Sequence, residues 1–265
     1  MRASRTILLS GEPIAFSDIS LENLGVDILF TTTRTRTRPE PNLSSGPRSK
    51  VRVEYLPVFS SSFAEMASFE PSALLAERGG KWAEMVTQSK SRGVGYLYYS
   101  CRPDREIFFH LLRTALTQRF EMHRDGNRTT ATTAEALGLC SGRTQTSQVE
   151  VEVSTSTSTL VPENALPPRR NTRFQPHYLE DAIAVYKDFK FVIAYEHEIV
   201  PGYITEKLTN AFLAAAVPIY IGAGDVTQYF NPDAMVTCSK DDFSSCIAQV
   251  IALLADKEKY IAMLG

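Results

Sequence analysis

At 265 residues the chain is long enough for one large domain or two modest ones, and its 43% hydrophobic and 10% aromatic content excludes a disordered or fibrous protein. A formal net charge of −2 excludes a global basic field that would gather nucleic acid or an anionic membrane. The local cluster of Arg34, Arg36 and Arg38 brings no nucleic-acid reader motif with it. Cys101, Cys140, Cys238 and Cys246 lack C-x-x-C spacing and do not cluster with histidines, which argues against structural zinc. Cys238 and Cys246 fit either a short disulfide loop or two buried thiols. The sequons at Asn42 and Asn127 matter only if the chain enters the secretory pathway.

In chain order, the first third reads as short strands between polar loops. Thr6 to Leu9, Val26 to Phe30 and Val51 to Phe59 are the apolar runs, the last broken at Pro57. Thr31 to Ser49 has loop chemistry, and Ala64 to Gly79 reads as a helix stopped by Gly79-Gly80. A second unit begins near Gly93 with the β-rich run Val94 to Ser100. A helix follows from Asp104 to Phe120, with Phe108, Leu111, Leu112 and Leu116 on one face. Thr129 to Thr133 and Val149 to Thr159 read as a low-complexity insertion, of which the V-E-V-E-V part also fits an edge strand.

After Pro176 the pattern sharpens. Phe189 to Tyr195 and Val217 to Ile221 are nearly continuous apolar runs, as expected of strands buried on both faces. Ile204 to Ala216 carries helical spacing between them, so the segment is a βαβ unit with parallel strands. A short strand around Met235 to Cys238 and helices at Asp241–Ala255 and Asp256–Leu264 complete it. Ligands of such sheets sit beyond the carboxyl ends of the strands, here Glu196 to Lys207 and Gly222 to Asp225.

Thr205 is placed to cap a helix starting with Glu206 and Lys207. A lysine in a first turn opposes the helix dipole at about 0.3–1 kcal/mol, a cost that an anion at the helix N-terminus offsets. A nucleotide diphosphate is such an anion, and Glu206 can accept hydrogen bonds from sugar hydroxyls. On position alone, a capped, solvated helix start fits both residues slightly better.

The run from Phe191 to Val226, with Gly202-Tyr203-Ile204-Thr205-Glu206-Lys207-Leu208, Asn210-Ala211 and Val217-Pro218-Ile219-Tyr220-Ile221-Gly222, resembles the donor-binding signature of the α-1,3-fucosyltransferase family, glycosyltransferase family 10. Tyr229-Phe230-Asn231-Pro232, the Tyr99 to Phe109 segment and Ala136-Leu137-Gly138-Leu139-Cys140 are similar to further family features. The resemblance implies a GT-B-like α/β fold: two Rossmann-like parallel-sheet domains facing across a cleft. The acceptor-side domain falls at 1–90 and the donor domain at 91–265, with an insertion at about 141–175. It implies inverting transfer of fucose from GDP-fucose to a hydroxyl of an oligosaccharide or glycoprotein.

In that family Arg105 and Lys207 correspond to the cations on the diphosphate, and Glu196, His197, Tyr203 and Glu206 to the rest of the donor pocket. His197 stands where the family has Asn, and Cys101 where it has the Asn of an S-N pair; as an alternative, His197 is an exposed loop residue. The general base falls to Glu12, with Glu40 second; a solvated loop glutamate fits Glu12 nearly as well. No metal ligand set and no required cofactor are implied; Mn²⁺ is compatible but not called for. An inactive relative that binds GDP or glycan, and a transferase using another nucleotide sugar, are the rival readings. A eukaryotic family member belongs in the Golgi lumen on a membrane anchor. No stretch of this chain reaches the roughly 18–20 apolar residues of a membrane span. The expectation is therefore a soluble chain or one separated from its anchor.

Overall fold

The computed structural model describes residues 7–9, 28–31, 52–55, 80–121, 132–138, 140–141 and 178–264. Strands β1 (Ile7–Leu9), β2 (Ile28–Thr31) and β3 (Arg52–Tyr55) form a three-stranded parallel sheet in the order β1-β2-β3. β1 and β3 lie inside the apolar runs of the first third, and β2 extends its run by one residue into Thr31, which was expected to open a loop.

The second sheet has five parallel strands, β4 (Arg92–Tyr96), β5 (Ala134–Ala136), β6 (Phe189–Tyr195), β7 (Val217–Ile221) and β8 (Val236–Thr237). Their spatial order is β5-β4-β6-β7-β8. From the β4–β6 boundary, β4 and β5 run outward in one direction and β6, β7 and β8 in the other, so the order reverses between β4 and β6. A doubly wound sheet opens its ligand crevice at this switch point, outside the carboxyl ends of those two strands. The unbroken apolar sequences of β6 and β7 are explained by burial on both faces: every residue of β7 and all but Lys190 in β6 are buried.

Helices α1 (Gly80–Ser89), α2 (Pro103–Glu121), α3 (Tyr178–Tyr186), α4 (Glu206–Leu213), α5 (Phe243–Ala255) and α6 (Lys257–Leu264) accompany this sheet. On one side Phe108, Leu112 and Leu116 of α2 share a core with Phe191, Ile193 and Ile219 of the sheet and Ile247 and Val250 of α5. On the other, α3 and α4 pack Ile183, Tyr186 and Ala211 against Phe189 and Val192.

Several expectations change in detail. The helix expected over Ala64 to Gly79 lies outside the described residues, and Gly80 opens a helix rather than stopping one. The reason is the apolar face of α1, on which Ala83 and Thr87 are buried and Trp82 and Val86 half-buried at helical spacing. Leu111 is 44% exposed; the inward face of α2 runs instead through Arg105, Phe108, Phe109, Leu112 and Leu116. Helix α4 is shorter than Ile204 to Ala216, because Ala214 caps it and Ala215 takes a left-handed conformation at φ 54°. Strand β5 and helix α3 were not anticipated: a three-residue strand carries no readable alternation, and α3 follows directly on the insertion.

Past the end of β4, Tyr98 continues the strand contact with its side chain. Its hydroxyl accepts from Tyr195 N at 2.6 Å and donates toward Ile193 O at 3.0 Å and Tyr195 O at 3.2 Å. Replacing the hydroxyl by nothing orphans a buried amide, at about 1–3 kcal/mol. Tyr98→Phe is therefore expected to lower the unfolding free energy by that amount, read as a lower urea midpoint with an unchanged m-value; an unaltered midpoint would show that water replaces the hydroxyl.

Candidate active site

At the carboxyl end of β4 the chain turns through Ser100 into α2, which brings Arg105 under the crevice. Arg105 is only 2% exposed. Its guanidinium lies 4.7 Å from the ring of Tyr98 and 5.7 Å from that of Tyr195, and Nη1 reaches Ser100 O at 3.5 Å. The two rings offer cation–π attraction in a desolvated place. Its Nε and Nη2 have no hydrogen-bond partner among the described residues. Buried guanidinium donors left open in this way suit an incoming acceptor.

The loop leading to Arg105 is fixed on its other side. Leu137 N donates to Tyr96 O at 2.8 Å and Cys140 N to Tyr98 O at 3.1 Å. A side chain at Gly138 would run into the backbone of Tyr98, so only glycine permits this approach. A disulfide, Cys101–Cys140, then closes the segment onto the turn. The second disulfide, Cys238–Cys246, is one of the two alternatives left open by the sequence. Cys101, Glu106 and Cys140 come close enough to suggest metal ligands, but both sulfurs are consumed in the disulfide. Glu106 is instead engaged by Tyr96 OH at 2.5 Å and Ser141 N at 3.1 Å.

At the carboxyl end of β6, Glu196 turns inward and is 1% exposed. Thr205 donates to it twice, from N to Oε1 and from Oγ1 to Oε2, both at 2.7 Å. Lys207 Nζ lies 3.4 Å from Glu196 Oε2, 3.6 Å from Glu206 Oε1 and 2.9 Å from Thr205 Oγ1. Thr205 also caps α4 by accepting from Lys207 N, as its position implied. Burial pushes the Glu196 carboxyl above its ordinary value, outweighing the attraction of Lys207 and the bonds from Thr205. Burial acts against the Lys207 ammonium too, but Glu206 and Glu196 together raise it, so it stays charged.

Lys207 thus has two internal carboxylate neighbours, which offset the dipole cost read from the sequence. Glu206 is half-exposed on the first turn of α4, and Tyr203 is buried at 4% exposure in the loop before it. That loop is pinned by Gly202 N donating to Asp225 Oδ1 at 2.9 Å, which ties the ends of β6 and β7. Gly202 has φ 80°, a left-handed conformation that favours glycine. His197 is exposed on the rim, with Nε2 3.5 Å from Arg102 Nη1. Arg102 also reaches Asp104 at 3.4 Å and Glu198 at 3.5 Å. Sequence reasoning passed over Arg102; its place at the N-terminus of α2, three residues before Arg105, was the available signal.

The structure therefore brings Arg105, Glu196, His197, Tyr203, Glu206 and Lys207 to the carboxyl ends of β4 and β6. Glu12 and Glu40 lie outside the described residues, as do the sequons and the low-complexity stretch.

A parallel α/β sheet with cations gathered at its switch point suits an anionic ligand beyond the strand ends, and comparison with known proteins adds to this. Residues 169–263 match the family model described as glycosyltransferase family 10 (fucosyltransferase) C-term. A segment of 68 residues is 37% identical to an alpha-(1,4)-fucosyltransferase of Arabidopsis thaliana, over 26% of this chain and 17% of that one. Another of 77 residues is 32% identical to an alpha-(1,3)-fucosyltransferase of Helicobacter pylori, over 29% of this chain and 16% of that one. The solved structure of an α1,3-fucosyltransferase with GDP superposes with a TM-score of 0.51 at 13% identity, covering 97% of this chain and 64% of that chain. The fold is thus the GT-B-like one, and the C-terminal part of the chain is similar to the fucosyltransferases of family 10. The chain spans less than two thirds of the relatives it matches.

The coupling of Glu196 to Lys207 sets a pH test. A carboxyl whose folded value lies above the ordinary 4.5 contributes most below that pH and loses its contribution as pH rises through the folded value. At neutral pH the buried carboxylate then relies on Lys207. Lys207→Met is expected to cost roughly 3 kcal/mol at pH 8, and clearly less at pH 5, in urea denaturation. An equal loss at both pH values would reduce the lysine to packing.

Proposed function

We propose that the chain binds GDP-fucose at the carboxyl ends of β4 and β6 and transfers fucose, with inversion, to a hydroxyl of a glycan acceptor. The observation that carries this reading is Arg105, whose buried Nε and Nη2 face no partner among the described residues. It shares an electrostatic neighbourhood with Lys207, since both charges act on the Tyr98 hydroxyl and lower its pKa against the dominant effect of burial. Two fixed cations suit a diphosphate, and the matching family domain and the GDP-bound structural relative support guanosine diphosphate as the leaving group.

In the proposed step the acceptor oxygen forms a bond to the anomeric carbon while the bond from that carbon to the diphosphate oxygen breaks. The electron pair leaves on GDP, where Arg105 and Lys207 neutralise the developing charge. Tyr203 and Glu206 shape the donor pocket, Glu206 accepting from ribose or fucose hydroxyls, and His197 stands at its rim. Side chains supply the charge compensation, so no divalent ion is required. The acceptor proton passes to a carboxylate of the acceptor-side region, for which Glu12 is the first candidate and Glu40 the second. Two disulfides support an oxidising compartment, in keeping with a Golgi location. No helix among the described residues is long and apolar enough to cross a membrane.

Two measurements test this reading. In calorimetric titration GDP and GDP-fucose are expected to bind wild type, with affinity falling at least tenfold in Arg105→Met, the scale of a lost charge-assisted contact. Equal or tighter binding of a uridine sugar would move the donor assignment to another nucleotide. Glu12→Gln is expected to abolish transfer while GDP binding persists; unchanged turnover would remove Glu12 from the mechanism. GDP binding by wild type without transfer to any acceptor would favour a binding protein over an enzyme.

A further inference from the structure

The opposite end of the five-stranded sheet holds a second concentration of positive charge. Lys90 precedes β4, Lys190 stands near the start of β6, and Lys257 opens α6. These three line one cavity of about 300 Å³, walled on the apolar side by Leu253, Leu254 and the ring of Tyr260. Along β6, Lys190 and Glu196 are separated by roughly 20 Å at ~3.3 Å per residue, so the cavity is distinct from the crevice above.

The three lysines are not alike. Lys90 is 4% exposed and has a structural duty: its Nζ donates to Lys187 O at 2.7 Å and Ala214 O at 2.9 Å, satisfying carbonyls at the ends of α3 and α4. Burial lowers its pKa to about 8, with Asp188 working in the other direction. Lys190 and Lys257 have no such account. Among the described residues neither ammonium has a carboxylate partner, and Lys190 Nζ lies 6.0 Å from the Tyr260 ring centroid. Burial first, and then the charge of Lys257, holds the Lys190 pKa down. Asp256, the nearby acid on the α5–α6 turn, is engaged with Lys259, accepting from its N at 3.0 Å and pairing with its Nζ at 3.0 Å. Two mutually repelling ammonium groups beside an open cavity lack only an anion between them. The Tyr260 ring and the two leucines can cover an attached organic group.

We propose that this cavity binds a small phosphate-bearing anion between Lys190 and Lys257, at the end of the sheet opposite the donor crevice. The reasoning does not rest on the proposed fucose transfer, and the test separates the two.

Inorganic pyrophosphate is titrated calorimetrically into wild type, Lys190→Met and Lys257→Glu, with GDP titrated in parallel. Lys257 is exposed, so its variant is expected to fold normally. Besides any event at the donor crevice, one pyrophosphate binding event is expected in wild type that is absent from Lys257→Glu and at least tenfold weaker in Lys190→Met, while GDP binding to Lys257→Glu is unchanged. Identical isotherms for the three proteins would overturn the proposal. So would the same heat from potassium chloride at matched ionic strength, which would reduce the effect to screening of two lysines. A wild type that binds pyrophosphate in this pattern but not GDP would sink the donor reading and leave the cavity standing.

Discussion

The candidate site depends on a carboxylate enclosed at the end of a strand. Glu196 has almost no contact with solvent, and a charge so placed is tolerable only if every oxygen is engaged and a counter-charge lies nearby. Thr205 meets the first demand with two donors and Lys207 contributes to the second. The same threonine is the N-cap of α4, so one residue fastens the helix start to the strand end and sets where the lysine stands. Glu206 adds a second negative neighbour, leaving Lys207 charged and held within a narrow range of positions.

Arg105 is fixed to the same strand by a different route. Its guanidinium rests on Tyr98, and Tyr98 is anchored through its hydroxyl to the backbone of Ile193 and Tyr195. Both cations are therefore referenced to the last residues of β6, one through a salt bridge and one through an aromatic ring. Charges positioned before a ligand arrives need no reorganisation when negative charge develops, which is where such a site gains most over water. The open donors of Arg105 and the enclosed state of Glu196 are complementary features: the acid is spent inside the protein, and the arginine keeps capacity for something outside it.

How much of this was legible in the sequence varied with the kind of signal. Strands β6 and β7 were readable to the residue, because burial on both faces leaves an unbroken apolar run that polar loops end sharply. The cap at Thr205 was readable from its place before Glu206 and Lys207. The inward turn of Glu196 was not, since a glutamate just past a strand looks the same whether it meets solvent or a buried threonine. Arg102, Asp104 and Tyr98 were invisible for a related reason: their partners on the β6 segment are about ninety residues away in sequence, beyond any local pattern. The Cys101–Cys140 pairing likewise joins two segments that only the β4–β5 register brings together.

The two positions at which the sequence was expected to depart from the family resemblance have something in common. Cys101 and His197, the two replacements of expected asparagines, are both exposed at the mouth of the crevice. Arg105, Glu196, Tyr203 and Thr205, deeper in the site, are all less than 5% exposed. Buried charged and polar residues depend on several partners at once, so each substitution there strands a group that another residue needs. A rim residue answers mainly to solvent and to whatever enters, and it can change without undoing the floor. Here the floor carries Arg105, and Lys207 stands above it with its side chain 23% exposed, while Cys101 and His197 stand at the rim. Cys101 also forms a disulfide that braces the arginine loop from outside and strengthens the frame that holds the charge.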